Sequence, residues 1–92
     1  MDSLEDINRY INDGDYKRAI EELNLLIYNE PDNAKAFYMR GKFRFIDLQK
    51  NKYDYSSANL SLIYSNIEYD LIHSIEIDPN IIDAYRGLMY LN

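Results

Sequence analysis

The chain has no cysteine and no tryptophan, and only one histidine, two prolines and three glycines among its 92 residues. Without cysteine, disulfides and thiolate metal sites are excluded, and a reducing compartment is allowed. With His73 as the single histidine, a transition-metal site would rest on carboxylates alone. No metal and no cofactor is expected. No apolar run approaches the roughly 20 residues needed to span a bilayer. The N-terminal MDSLEDINRY is acidic and lacks the apolar stretch of a signal peptide. The expectation is a cytoplasmic protein without membrane association. There is no phosphate-cradling glycine loop, no EF-hand loop and no Ser–His–Asp arrangement. The adjacent acids Glu5-Asp6 and Glu21-Glu22 point in different directions on a helix and make poor acid–base pairs. No catalytic residue is assigned, and the chain reads as a non-enzyme.

Apolar residues make up 47% of the sequence, enough for the core of one small domain. The net charge of −6 is unevenly spread. Lys35, Arg40, Lys42, Arg44, Lys50 and Lys52 face only Asp47 in residues 35–52, whereas the remainder carries four basic and fifteen acidic residues. Most of this surface would repel nucleic acid, so none is expected as a partner. The basic stretch reads either as a landing place for an acidic target or as an ordinary solvated helix face.

The periodicity predicts five helices and no strand, since strict apolar–polar alternation is missing. Ser3 is a candidate N-cap for Leu4–Asn12, whose Leu4, Ile7, Tyr10 and Ile11 share a face. Gly14 supplies a helix-ending residue and Asp15 the next cap. Tyr16, Ala19, Ile20, Leu23, Leu26 and Ile27 form a second stripe, ended by Glu30-Pro31-Asp32-Asn33. The central helix, Ala34–Leu48, places Phe37, Gly41, Arg44, Phe45 and Leu48 on one face. A mid-helix glycine costs about 1 kcal/mol relative to alanine, so Gly41 predicts a close helix approach. After a turn at Asn51–Asp54, a helix from about Tyr55 to Ile77 carries Leu60, Ile63, Ile67, Leu71, Ser74 and Ile75 on one face. Asp78-Pro79-Asn80 stops it, and a last helix spans Ile81–Leu91.

An internal repeat joins these features. Gly14-Asp15-Tyr16, Ala19, Leu23 and Pro31 are followed by Ala36-Phe37, Gly41, Asp54-Tyr55, Ala58 and Asp78-Pro79-Asn80. This pattern resembles the tetratricopeptide repeat family over nearly the whole chain. The resemblance implies an all-α fold of antiparallel helical hairpins stacked as a short right-handed superhelix. It implies one domain, with repeat one at about 1–33, an elongated repeat two at about 34–80, and a lone third-repeat helix at about 81–92. Pro31 and Pro79 are 48 residues apart, against 34 in the family. The 14 extra residues either lengthen the second hairpin by whole turns or form an added helix or loop around Tyr53–Leu62. Asp6 and Ile7 stand where the family has an apolar and a small residue, so a looser first hairpin is expected. Tyr16, Phe37, Tyr55 and Tyr85 recur at matching positions and are expected in the core.

The family's function implies a non-catalytic interaction module, a scaffold or adaptor holding a partner segment in its concave groove. Carried onto this chain, the groove positions are Leu4, Asn8, Ile11, Lys35, Tyr38, Met39, Lys42 and Phe45. They form a mixed apolar and basic strip suited to a protein or peptide with acidic groups. A subtype of the family clamps chaperone C-termini through Lys, Arg and Asn; only Asn8 matches, so that subtype is not expected. The alternative function is a self-associating structural module or chaperone-like subunit. It is motivated by the last helix, where apolar residues point nearly all round and Asp83 and Arg86 are the only charges. Exposed apolar faces of this kind usually mark an interface. Either a second copy covers it through Tyr85, Leu88 and Leu91, or the natural chain continues. A homodimer is expected.

Overall fold

The computed structural model describes residues 3–91, apart from the side chains of Ser3 and Lys52; the expected Ser3 cap therefore lies outside the described residues. These residues form five α-helices and no strand: α1 (Ser3–Asn12), α2 (Tyr16–Asn29), α3 (Ala34–Asn51), α4 (Ser57–Ile77) and α5 (Ile82–Leu91). Each helix packs against its neighbour in the chain, and α5 also touches α3.

Local chemistry explains the boundaries. Gly14 adopts φ +78°, its N–H donates to Ile11 O, and Asp15 N–H donates to Tyr10 O. That pair of bonds is the Schellman closure, which needs a residue without a Cβ penalty at the left-handed position. Asp15, Asn33 and Ser56 then cap α2, α3 and α4, each accepting from the backbone N–H three residues on. The two proline turns share a hydrogen-bond pattern. Glu30 N–H donates to Leu26 O and Asn33 N–H to Glu30 O; Asp78 N–H donates to Ser74 O and Ile81 N–H to Asp78 O. The two proline turns, 48 residues apart in sequence, thus share their backbone hydrogen bonding.

Most of the stretch from Pro31 to Pro79 is helical. α3 and α4 contain 18 and 21 residues, against 10 and 14 in α1 and α2. Only Lys52–Asp54 forms a separate 3-10 turn, and Ser57–Leu62 already belongs to α4.

Two clusters make up the core, and α3 contributes to both. Ile7, Ala19, Leu23, Leu26, Ala36, Met39 and Phe43 join α1, α2 and α3. Leu48, Ile67, Leu71 and Ala84 join α3, α4 and α5. Ile7, at a position where a small residue was expected, is fully buried. The close approach expected at Gly41 is made to α4, where a Cβ on Gly41 would lie 3.1 Å from Asp70 Cβ and 3.2 Å from Leu71 Cδ2. One expectation needs correction. Tyr85 is exposed, although its counterpart Phe37 is buried with its ring edge-to-face on His73 at 4.5 Å. The difference is the covering helix: α4 packs over Phe37, and no described helix packs over Tyr85.

Candidate functional site

A groove of about 420 Å³ lies between α3 and α5. Successive groove residues on α3 are spaced so that one helix face lines its wall: Tyr38, Lys42, Phe45, Ile46 and Gln49. From α5 come Asp83, Arg86, Tyr90 and Leu91. Between the two helices, Ile67 and Leu71 of α4 form its floor, with Leu71 packed close against Gly41 and Gly87. Aromatic rings and aliphatic groups therefore line the interior, and charges sit at the rim.

Three of the expected groove residues, Tyr38, Lys42 and Phe45, meet in this concavity. Lys35 is exposed on the same face of α3, three residues before Tyr38 and seven before Lys42. Met39 does not belong to the strip: it is buried in the first core cluster, on the side of α3 that faces α1 and α2. Asn8 is exposed on α1 and Ile11 packs half-buried against the first cluster; neither they nor Leu4 border the α3–α5 concavity. Lys42 Nζ lies 5.9 Å from the Tyr38 ring centroid and 5.7 Å from that of Phe43. Its stem thus lies along apolar surface while its charge stays in water. Among the described residues neither Lys35 nor Lys42 is paired with a carboxylate, whereas Arg86 lies 3.5 Å from Asp83.

The basic character of α3 divides into two parts that the sequence did not separate. Arg40 and Arg44 turn away from the groove onto Asp70, which is fully buried in α4. Arg40 donates from Nε and Nη2 to the two Asp70 oxygens at 3.0 and 2.7 Å, and Arg44 donates from Nη1 at 2.9 Å. Arg40 Nη1 also donates to Asn24 Oδ1 at 3.0 Å, so one guanidinium braces α2, α3 and α4. Burial holds the Arg44 guanidinium below its ordinary value; the Asp70 charge opposes this and the Arg40 charge adds to it. The guanidinium still remains charged at neutral pH. Nearby, Ser74 Oγ donates to Ala34 O at 2.9 Å, tying α4 to the first residue of α3. A signal for this network was present: Asp70 falls within the apolar stripe of Ile63, Ile67, Leu71 and Ser74, where an unpaired carboxylate would be costly.

The C-terminal helix also departs from expectation. Leu88 and Leu91 pack half-buried against the second core cluster, so they face inward and not toward an open interface. The uncovered apolar face consists of Ile82, Tyr85 and Met89, which are 64%, 43% and 76% exposed. Shifted by the 48-residue repeat, these positions match Ala34, Phe37 and Gly41, the face of α3 that α4 covers. His73 lies against Phe37, stacks on Tyr69 at 5.5 Å and sits 3.5 Å from Glu76. Among the described residues no group of three or more His, Cys, Asp or Glu side chains is placed to hold a metal ion. No described helix is long and apolar enough to cross a membrane. In comparisons with known proteins, no family model, no curated protein and no solved structure matches this chain.

Proposed function

We propose that this chain is a non-catalytic protein-interaction module of tetratricopeptide-like build, which displays the α3–α5 groove to a segment of a partner protein. The observation that carries this reading is the preformed groove itself, in which Tyr38, Lys42 and Phe45 converge with residues of α5 over a floor supplied by α4. A largely apolar concavity with a few charges at its rim suits partner recognition. Its α3 wall is braced from behind by the Arg40–Asp70–Arg44 network, so on that side a partner would meet a surface needing little backbone change. The sequence repeat and the chain-neighbour packing of the helices support the superhelical reading.

The test is charge reversal on the groove face. Lys35→Glu with Lys42→Glu is expected to abolish capture of the partner while stability stays within about ±0.5 kcal/mol, as is usual for exposed positions. Quantitative pull-down with purified partner, alongside a denaturation curve, checks both halves. Undiminished binding by the double variant would leave the two lysines as mere solvation.

A second reading, self-association, is favoured by the bare face of Ile82, Tyr85 and Met89, because its repeat counterpart on α3 is covered by a helix. In this reading two α5 helices pack on each other about a two-fold axis. Light scattering is then expected to report a dimer that Met89→Lys dissociates with little loss of helix. Leu88→Lys, by contrast, would place a charge against the second core and unfold α5. A wild-type chain that stays monomeric at tens of micromolar would sink this reading.

A further inference from the structure

We infer that the α3–α5 groove is an anchor pocket: it takes one bulky apolar side chain, aromatic or branched aliphatic, from a partner segment whose flanking residues are acidic. This rests on the reading of the groove as the partner site and adds what kind of segment enters it. The floor is apolar and closely packed. Gly41 and Gly87 both border the groove, and without a Cβ at either position Leu71 packs close between α3 and α5 beneath the groove, where a Cβ on Gly87 would lie 3.0 Å from Leu71 Cδ1. Phe45 and Tyr90 stand on either side of the groove, and Tyr90 is 81% exposed. An exposed aromatic at the edge of an apolar hollow is well placed to fold over an inserted side chain, which supplies large contact area at small entropic cost.

The rim selects the neighbours of the anchor. On a chain of net charge −6, the groove lining presents Lys42 and Arg86 against the carboxylate of Asp83, and Lys35 is exposed on the same face of α3. Neither lysine is neutralised within the described residues. Carboxylates flanking the anchor would complement them, whereas a basic segment would be disfavoured at this rim.

The experiment selects a random-peptide phage library on the immobilised chain, then titrates the enriched peptide, fluorescein-labelled, by anisotropy. The expected result is a common pattern of one bulky apolar residue among acidic ones. Replacing that residue by alanine, or Tyr90→Ala in the protein, should weaken binding at least about tenfold, as truncation of a central anchor does. Lys42→Glu should weaken the acidic peptide and regain affinity when a flanking acid is changed to lysine, a rescue that a merely structural role would not produce. Both variants change exposed residues, and circular dichroism verifies that helix content is kept. If enriched peptides lose binding on Lys35→Glu and Lys42→Glu but ignore the apolar residue and Tyr90, the groove reading stands and the anchor is overturned. If no enriched peptide responds to any groove variant, the groove reading falls with it.

Discussion

Asp70→Ala is expected to cost about 3–5 kcal/mol of folding stability, the range for removing one partner of a buried ion pair. Small domains are stable by only about 5–15 kcal/mol in total, so this single change would leave the chain near its folding threshold. The cause is what remains behind. Arg40 and Arg44 keep their charges after the carboxylate is gone, and Arg44 already sits where burial disfavours the charged form. Three charge-assisted hydrogen bonds disappear together, and only the one to Asn24 is left. Chemical denaturation followed by circular dichroism measures the loss. A companion variant separates the charge from the shape. Replacing all three members by apolar residues, with Asp70→Leu, Arg40→Met and Arg44→Met, is expected to regain most of the stability, since such swaps are often neutral or stabilising by about 1–4 kcal/mol. If Asp70→Ala unfolds at the wild-type denaturant concentration, the network adds nothing and its place in the core needs another explanation.

This network also shows why part of the site was legible in the sequence and part was not. Helix positions, the Gly14 ending and the Asp15 cap follow from spacing and local chemistry, so they could be read residue by residue. Tyr38, Lys42 and Phe45 could be placed on one face of α3 because helical periodicity fixes which residues lie together. Met39 could not be separated from them by the same rule. It neighbours Tyr38 in sequence, and only the position of α1 and α2 decides that its side of α3 is buried. Arg40 and Arg44 looked like solvating charges because their partner lies 26 to 30 residues away on another helix. On α5, apolar residues all round the helix left its orientation undetermined. Gly87, flanked by no recognisable turn, gave no sign that it packs on Leu71 beside the groove.

Leu71→Ala is the second large effect, and it carries a prediction of sign. Leu71 is buried where α3, α4 and α5 converge, with Gly41 on one side and Gly87 on the other. Its truncation is expected to cost about 2–5 kcal/mol, from lost burial and an incompletely collapsed cavity. Gly87→Ala alone pits two effects against each other. Alanine in a helix interior is worth about 1 kcal/mol over glycine. Against it stands a Cβ placed 3.0 Å from Leu71 Cδ1, on a side chain that Gly41 borders from the other side. Overpacking of a filled core usually costs about 1–3 kcal/mol, so the net change in the wild-type background is a loss of stability. With Leu71→Ala in place the obstruction is gone, because all three atoms near the new Cβ belong to Leu71 beyond its own Cβ. The same Gly87→Ala change should then stabilise, by up to about 1 kcal/mol. A double-mutant cycle from denaturation midpoints reads this reversal directly, as a coupling between neighbours that separate sites would not show. Gly41→Ala provides the contrast. Its new Cβ would also meet Asp70 Cβ at 3.1 Å, an atom held by the buried ion pairs, so Leu71→Ala should relieve it only in part. Equal costs for Gly87→Ala in both backgrounds would mean that α5 does not lie over Leu71, and the groove between α3 and α5 would lose its floor.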